Sequence, residues 1–236
     1  MRTILLAWLC VAAPLLAQAD GLAPFVAEYE VRYGSMAVGS SRTELGHGTV
    51  PGHWFIETRS NASGFARLIT SGTLVQRSDF ELTGAEIRPL RYRFDDGSRR
   101  AAEDVMLDFD WSAGRVRGSA EGDPVDLAIE AGLQDAASIQ ALVQARVASG
   151  AEPGDVAMIE KDFVKYYRYE RVSAQPLRTA LGELDTILYR STRIGRERET
   201  LLWLAPALGW VTVQAEQRRN GKRTFQTRIR SYLPGA

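Results

Sequence analysis

Phe25-Val26-Ala27-Glu28-Tyr29-Glu30-Val31-Arg32-Tyr33 places Phe25, Ala27, Tyr29, Val31 and Tyr33 on one side and Glu28, Glu30 and Arg32 on the other. A side-chain period of two marks a half-buried β-strand. Gly34-Ser35 offers a turn, and a second strand through Val38 to Leu45 would complete a hairpin. Gly46 to Gly52, rich in glycine and holding Pro51, reads as a loop. Alternation returns in His53 to Ser60, with Trp54, Ile56 and Thr58 on one side. Thr73 to Leu82, Glu86 to Phe94 and Ala101 to Trp111 follow as strands, and Gly64 to Gly72 is expected to be a bend or short helical turn. In the second half the strand-like stretches are Val156 to Lys161, Phe163 to Ser173, Arg178 to Thr192 with an interruption at Gly182, Glu199 to Leu204, Leu208 to Glu216 and Thr224 to Tyr232. Asp95-Asp96-Gly97-Ser98 and Asn220-Gly221 tolerate the positive φ of tight hairpin turns, and each is expected to form one.

One stretch breaks this period. From Gln134 to Gly150, Ile139, Leu142, Val143 and Val147 recur at three and four residues, Asp135 stands where an N-cap belongs and Gly150 where a helix ends. An amphipathic helix from Asp135 to Ser149 is expected, laying one face on the sheet and closing one end of the core. Arg146 is the only cation on its polar face, which does not suit a helix lying on a membrane. The expected fold is therefore mostly β: a curved antiparallel sheet or incomplete β-barrel with one amphipathic helix packed on it. No internal repeat of fixed length is evident, which argues against propellers and solenoids.

Met1-Arg2-Thr3, the apolar run Ile4 to Leu16 and Ala17-Gln18-Ala19 have the three-part form of a secretory signal peptide cut after Ala19. The run falls short of the roughly 20 residues that cross a bilayer. Residues 1–19 are thus expected to be a signal peptide and residues 20–236 one β-rich domain, exported to the periplasm as a soluble protein with no lasting membrane span. Cys10, the single cysteine, lies inside the run behind Trp8 and Leu9, which speaks against lipid attachment there and leaves the mature chain without disulfides. With 236 residues, 45% hydrophobic and 25% charged, and 29 basic against 29 acidic side chains, the chain is neither disordered nor broadly basic. A nucleic-acid partner is not expected.

Catalytic signals are sparse. His47 and His53 have no metal-ligand spacing with another strong ligand, and Gly-x-Ser-x-Gly elbows and phosphate-binding glycine loops are missing, so no metal and no cofactor is expected. Asp104, Asp108 and Asp110 share strand parity and could converge on a calcium ion or a sugar. Val105, Leu107, Phe109 and Trp111 fill the opposite side, so an outward polar face is the simpler account. Basic residues gather at Arg88, Arg91, Arg93, Arg99 and Arg100 and at Arg218, Arg219, Lys222 and Arg223, where solvated faces and edge protection explain them. Trp54, Phe65, Leu68, Ile69, Tyr166, Tyr167, Trp203 and Trp210 are the candidates for lining a groove, with ordinary core as the competing role. Leu201-Leu202-Trp203-Leu204 is apolar on both faces and is either sandwiched or turned to a ligand.

Phe25 to Val31, Gln134-Asp135-Ala136-Ala137-Ser138, Leu181-Gly182-Glu183-Leu184-Asp185-Thr186 and Leu202-Trp203-Leu204-Ala205-Pro206 together resemble the bacterial family called domain of unknown function 3108, over nearly all of the chain beyond residue 19. Trp210 departs from it, standing where a proline would be expected. The resemblance implies an exported β-rich protein and transfers no catalytic residue. The overall plan also resembles the incomplete barrels of periplasmic lipoprotein carriers. The resulting expectation is a non-enzymatic binding protein for a lipid-like envelope ligand or a protein partner. A structural or assembly factor without a cavity, and a carbohydrate hydrolase using the three aspartates, are the alternatives.

Overall fold

The computed structural model describes residues 21–64, 72–98 and 104–235. Two antiparallel meanders make one sheet. The first comprises β1 (Phe25–Tyr33), β2 (Met36–His47), β3 (His53–Ala62), β4 (Thr73–Thr83), β5 (Glu86–Asp95), β6 (Val105–Asp110), β7 (Arg115–Ala120) and β8 (Asp123–Ala128). After helix α1 (Ser138–Ala148) the second runs through β9 (Gly154–Glu160), β10 (Phe163–Thr179), β11 (Gly182–Arg193), β12 (Arg198–Ala205), β13 (Val211–Arg219) and β14 (Lys222–Pro234). β14 pairs with β1 and joins the meanders, giving the order β8-β7-β6-β5-β4-β3-β2-β1-β14-β13-β12-β11-β10-β9. β8 and β9 are its free edges, so the barrel does not close.

Alternation turns Phe25, Ala27, Leu45, Ile56, Phe80 and Leu107 into a buried interior. The segment from β8 to β9 has to cross the gap between the two edges, and it does so through the Gln134–Ser138 stretch. Gln134 adds a one-residue parallel bridge to β9: its N–H donates to Ala157 (2.9 Å) and its carbonyl accepts from Ile159 (2.8 Å). β6 pairs only with Arg91 to Phe94 of β5, so carbonyls nearer the start of β5 that face away from β4 lack a strand partner. The Gln134 side-chain amide donates to the Ile87 carbonyl (2.9 Å) and the Trp111 indole to that of Pro89 (2.7 Å). At the rim, Lys161 and Glu121 pair between the β9–β10 and β7–β8 turns, bringing the edge hairpins together without backbone bonding.

The helix starts later than its sequence period suggests, at Ser138, because Gln134 to Ala137 form the bridge and the capping turn. Asp135 accepts from the Ala137 and Ser138 N–H groups (2.8 and 2.7 Å) and from the Ser78 hydroxyl of β4 (2.6 Å), while its own N–H donates to the Ser138 hydroxyl (2.9 Å). At the other end Gly150 (φ +80°) turns the chain, as expected. α1 is not a surface helix with one buried face. Ile139 and Leu142 join the main core, and Val143 and Val147 pack on Tyr189 and Leu204 of the opposite wall. Even Gln144 is buried, donating to the Gly209 carbonyl (2.7 Å). Sheet surrounds the helix, which stops one end of the interior, and Gln140 is the exposed exception within it.

Four local expectations change. Arg115–Ala120 and Asp123–Ala128 form a hairpin that the period reading passed over. β10 continues unbroken to Thr179, so the break at Gly182 is the tip of a long hairpin. β13 begins at Val211 rather than Leu208, because Pro206–Leu208 is a 3-10 turn closed by Gly209 and Trp210, both at positive φ. Asp95 to Ser98 opens the hairpin expected there, but the connection is longer than a tight turn: β5 ends at Asp95 and its antiparallel partner β6 starts at Val105, with Asp95 and Asp96 accepting from the N–H groups of Gly97 and Ser98 (2.7 Å each). The signal-peptide expectation, Cys10 and the Gly64–Gly72 bend from residue 65 to 71 lie outside the described residues.

Candidate functional site

The concave faces of β10 to β13 change chemistry in layers along the barrel axis. The register Tyr167↔Arg193, Tyr169↔Ser191, Ser191↔Thr200, Tyr189↔Leu202, Thr200↔Gln217 and Arg198↔Arg219 fixes which side chains share that face. Outermost are Lys165, Arg193, Arg198 and Arg219. Tyr167, opposite Arg193, is level with the arginines; next come Tyr169, Ser191, Thr200 and Gln217, and deepest Leu202 and Ala215. Ser41, Thr43, Thr58 and Tyr29 of β1 to β3 face them across a cavity of about 470 Å³. Its floor is the first turn and a half of α1, through Ile139, Gln140 and Val143, with Met158 beside them.

This lining combines hydroxyls with apolar surface. Thr43 and Thr58 bond to each other (2.9 Å). Burial raises the pKa of Tyr29 well above the ordinary phenol range and pushes that of Tyr169 up to about 12, against a hydrogen bond with Ser191 that lowers it. Burial also raises Tyr167, with Glu160 adding to it and Arg193 and Arg198 opposing it. All three phenols therefore stay protonated near neutral pH and can donate hydrogen bonds. The described lining contains no carboxylate, histidine, cysteine or lysine; its polar groups are hydroxyls and the amides of Gln140 and Gln217. At the mouth, a basin of about 830 Å³ shares Tyr167 with the cavity and carries Arg193, Arg196, Arg198 and Arg219. Lys165 is buried there, paired with Glu160 and 4.9 Å above the Phe163 ring.

Of the aromatic candidates, Tyr167 lines both spaces. Trp54 is buried in the core, its ring 4.0 Å from that of His47. Trp203 is buried on the side of β12 opposite Leu202 and Leu204, its indole N–H without a partner among the described residues. Leu201 to Leu204 is thus sandwiched, with Leu202 also reaching the cavity. Trp210 packs beside the cluster of Val143, Val147, Tyr189 and Leu204. Tyr166 is exposed, and its hydroxyl donates to Glu130 (3.1 Å). Phe65, Leu68 and Ile69 lie outside the described residues. The serines and threonines of the lining are not aromatic and so were not among the groove candidates, although their place on the inward parity of each strand was a readable sign.

The three aspartates do not converge. Asp108 pairs with Arg91 (2.8 Å) on the outer face of β6. Asp110 accepts from Ser112 and Ala113 in the next turn, which lowers its pKa. Asp104 lies instead beside Asp95 and Asp96, partly exposed. His53 sits 3.5 Å from Glu81, outside the cavity lining. In the basic clusters, Arg218 and Arg223 pair with Glu216, Arg219 enters the basin, and Arg99 and Arg100 lie outside the described residues. No helix among the described residues is long and apolar enough to cross a membrane.

The fold resembles that of a β-barrel-like protein of the DUF1849 family from Brucella abortus, at 11% identity and a TM-score of 0.60 over 91% of this chain and 99% of that one. Weaker likenesses are to MucB (TM-score 0.37, 11% identity, 94% of this chain and 56% of that one) and to a Bacteroides fragilis protein with a YmcC-like fold (TM-score 0.37, 9% identity, 90% and 97%). No curated protein matches. A family model for a protein of unknown function, DUF3108, matches residues 28–226, and the chain belongs to that family.

Proposed function

We propose that this is a non-enzymatic binding protein of the bacterial envelope that takes the apolar part of an amphiphilic, lipid-like ligand into the cavity above α1. The observation that carries the reading is the open space of about 470 Å³ left inside an otherwise packed interior. That volume falls within the roughly 300–1,000 Å³ of small-molecule sites. Leu202, Met158, Ile139 and Val143 supply apolar contact, and the threonines offer methyl groups as well as hydroxyls. An assembly factor without a ligand would be expected to have a filled interior, so the cavity favours a ligand. Export to the periplasm, read from residues 1–19, supplies the setting in which such ligands are met.

The test is native mass spectrometry of the purified protein after incubation with envelope lipid extract, which should show an adduct of discrete mass. Ala215, on the cavity wall, is the position to block. Ala215→Trp should abolish the adduct while moving the melting temperature by only a few degrees, since the added ring enters open space rather than packed core. An unmodified mass for the wild type, or an equal adduct on the blocked variant, would reject the proposal.

A further inference from the structure

The chain is neutral as a whole, yet its mouth basin gathers four arginines and a lysine against two carboxylates, Glu160 and Glu197. Lys165 is neutralised by Glu160, but Arg193, Arg196, Arg198 and Arg219 have no ion-pair partner among the described residues. Most arginines on the outer surface of the first meander do: Arg42 with Glu44, Arg59 with Glu57, Arg91 with Asp108 and Arg115 with Asp126. Arg88, Arg93, Arg171, Arg178 and Arg228 also lack an ion pair among the described residues, but the basin gathers its unpaired arginines in one place. Arg193, Arg198 and Arg219 occupy successive concave-face positions of β11, β12 and β13, one step above Ser191, Thr200 and Gln217. Placing three like charges on one concave wall is unfavourable without a compensating anion, and guanidinium forks match the geometry of phosphate oxygens. Tyr167 lines both basin and cavity, so the two spaces lie side by side.

We infer that the basin of Arg193, Arg198 and Arg219 binds the phosphate of a ligand whose apolar part enters the cavity, so that the protein selects anionic, phosphate-bearing amphiphiles over neutral ones. This rests on the cavity reading above and adds the headgroup to it. Arg196, in the β11–β12 turn, is placed to cover the phosphate from the solvent side.

The experiment is isothermal titration of the purified protein, at about 150 mM salt to hold screening at its physiological level, with lysophosphatidic acid, with monoacylglycerol of the same chain length and with glycerol 3-phosphate. The expected result is at least tenfold tighter binding of lysophosphatidic acid than of monoacylglycerol, and much weaker binding of glycerol 3-phosphate. In an Arg198→Gln/Arg219→Gln variant, lysophosphatidic acid should fall to the affinity of the neutral lipid. Both arginines are exposed, so the variant should retain the wild-type circular dichroism spectrum and melting temperature. Equal binding of the two lipids by the wild type would overturn the headgroup site and leave the cavity reading standing. Glycerol 3-phosphate binding as tightly as lysophosphatidic acid would mean a free-phosphate site and overturn the amphiphile. Binding of none of the three would overturn both readings.

Discussion

Leu142→Ala is expected to lower the free energy of unfolding by about 2–5 kcal/mol, the range for truncating a fully buried leucine where the surroundings cannot collapse. Leu142 has no exposed surface and lies mid-helix against the core that Phe80, Ile87 and Leu107 share. The opposite side of the helix should be costly as well. Val143→Ala removes contact with the Tyr189 and Leu204 wall and should cost on the order of 1–3 kcal/mol. Gln140→Ala, at the exposed position, should stay within about 0.5 kcal/mol of wild type. Urea unfolding of the three variants distinguishes a helix enclosed by sheet from one resting on it: if the helix only rested on the sheet, Val143→Ala would be nearly neutral.

Asp135→Ala should be of similar severity, on the order of 3 kcal/mol or more, because it removes the helix cap and leaves the Ser78 hydroxyl and two N–H groups unsatisfied in the interior. Asp135→Asn separates charge from hydrogen bonding. Burial pushes the Asp135 pKa up from 3.8 to about 6, its hydrogen bonds with Ser78, Ser138 and Ala137 opposing the shift only in part. Below about pH 4 the carboxyl is protonated in both folded and unfolded chains. Between about pH 4 and 6 the unfolded chain releases the proton while the folded one keeps it. This group's contribution to stability therefore falls as pH rises through that window, by about 3 kcal/mol in total, and is level above it. The carboxamide of the Asp135→Asn variant has no proton to lose. The stability of wild type minus that of the variant should accordingly decrease from about pH 4 to 6, and the subtraction removes the opposite trend from carboxyls with lowered pKa, such as Glu30 and Asp155. A difference independent of pH would show that the Asp135 carboxyl ionises as it does in the unfolded chain.

The β architecture was legible because a period of two admits few rivals once Phe25 to Tyr33, His53 to Ser60 and Glu86 to Phe94 repeat it. Helix α1 was legible for the opposite reason. Its environment was not: a stripe of Ile139, Leu142, Val143 and Val147 looks the same whether one wall or two receive it, and the burial of Gln144 follows from a carbonyl at Gly209, 65 residues away. The β7–β8 hairpin was missed because Gly118 and Pro124 interrupt the β-branched pattern that strands usually show. The role of Gln134 depends on β6 being too short to pair with the start of β5, a property of two other strands.

The cavity was less legible than the fold. Of the described aromatic candidates Tyr167 lines the cavity and Tyr166 is exposed, while the three tryptophans pack in or against the core, because large rings fill space rather than leave it open. The informative residues were smaller: Ser191, Thr200 and Thr212 occupy positions where a filled barrel would carry leucine or isoleucine. Arg193, Arg198 and Arg219 come from three strands, and only the register brings them to one wall.

The most direct test of the central claim, that the concavity above α1 holds the ligand, is photo-cross-linking with a lysophosphatidic acid carrying a diazirine at the end of its acyl chain. Peptide mass spectrometry should find adducts concentrated in residues 136–143 and 200–217, where Ile139, Val143, Leu202 and Ala215 line the floor and inner wall. Adducts spread over the convex face of β5 to β8, or none within those two segments, would contradict it.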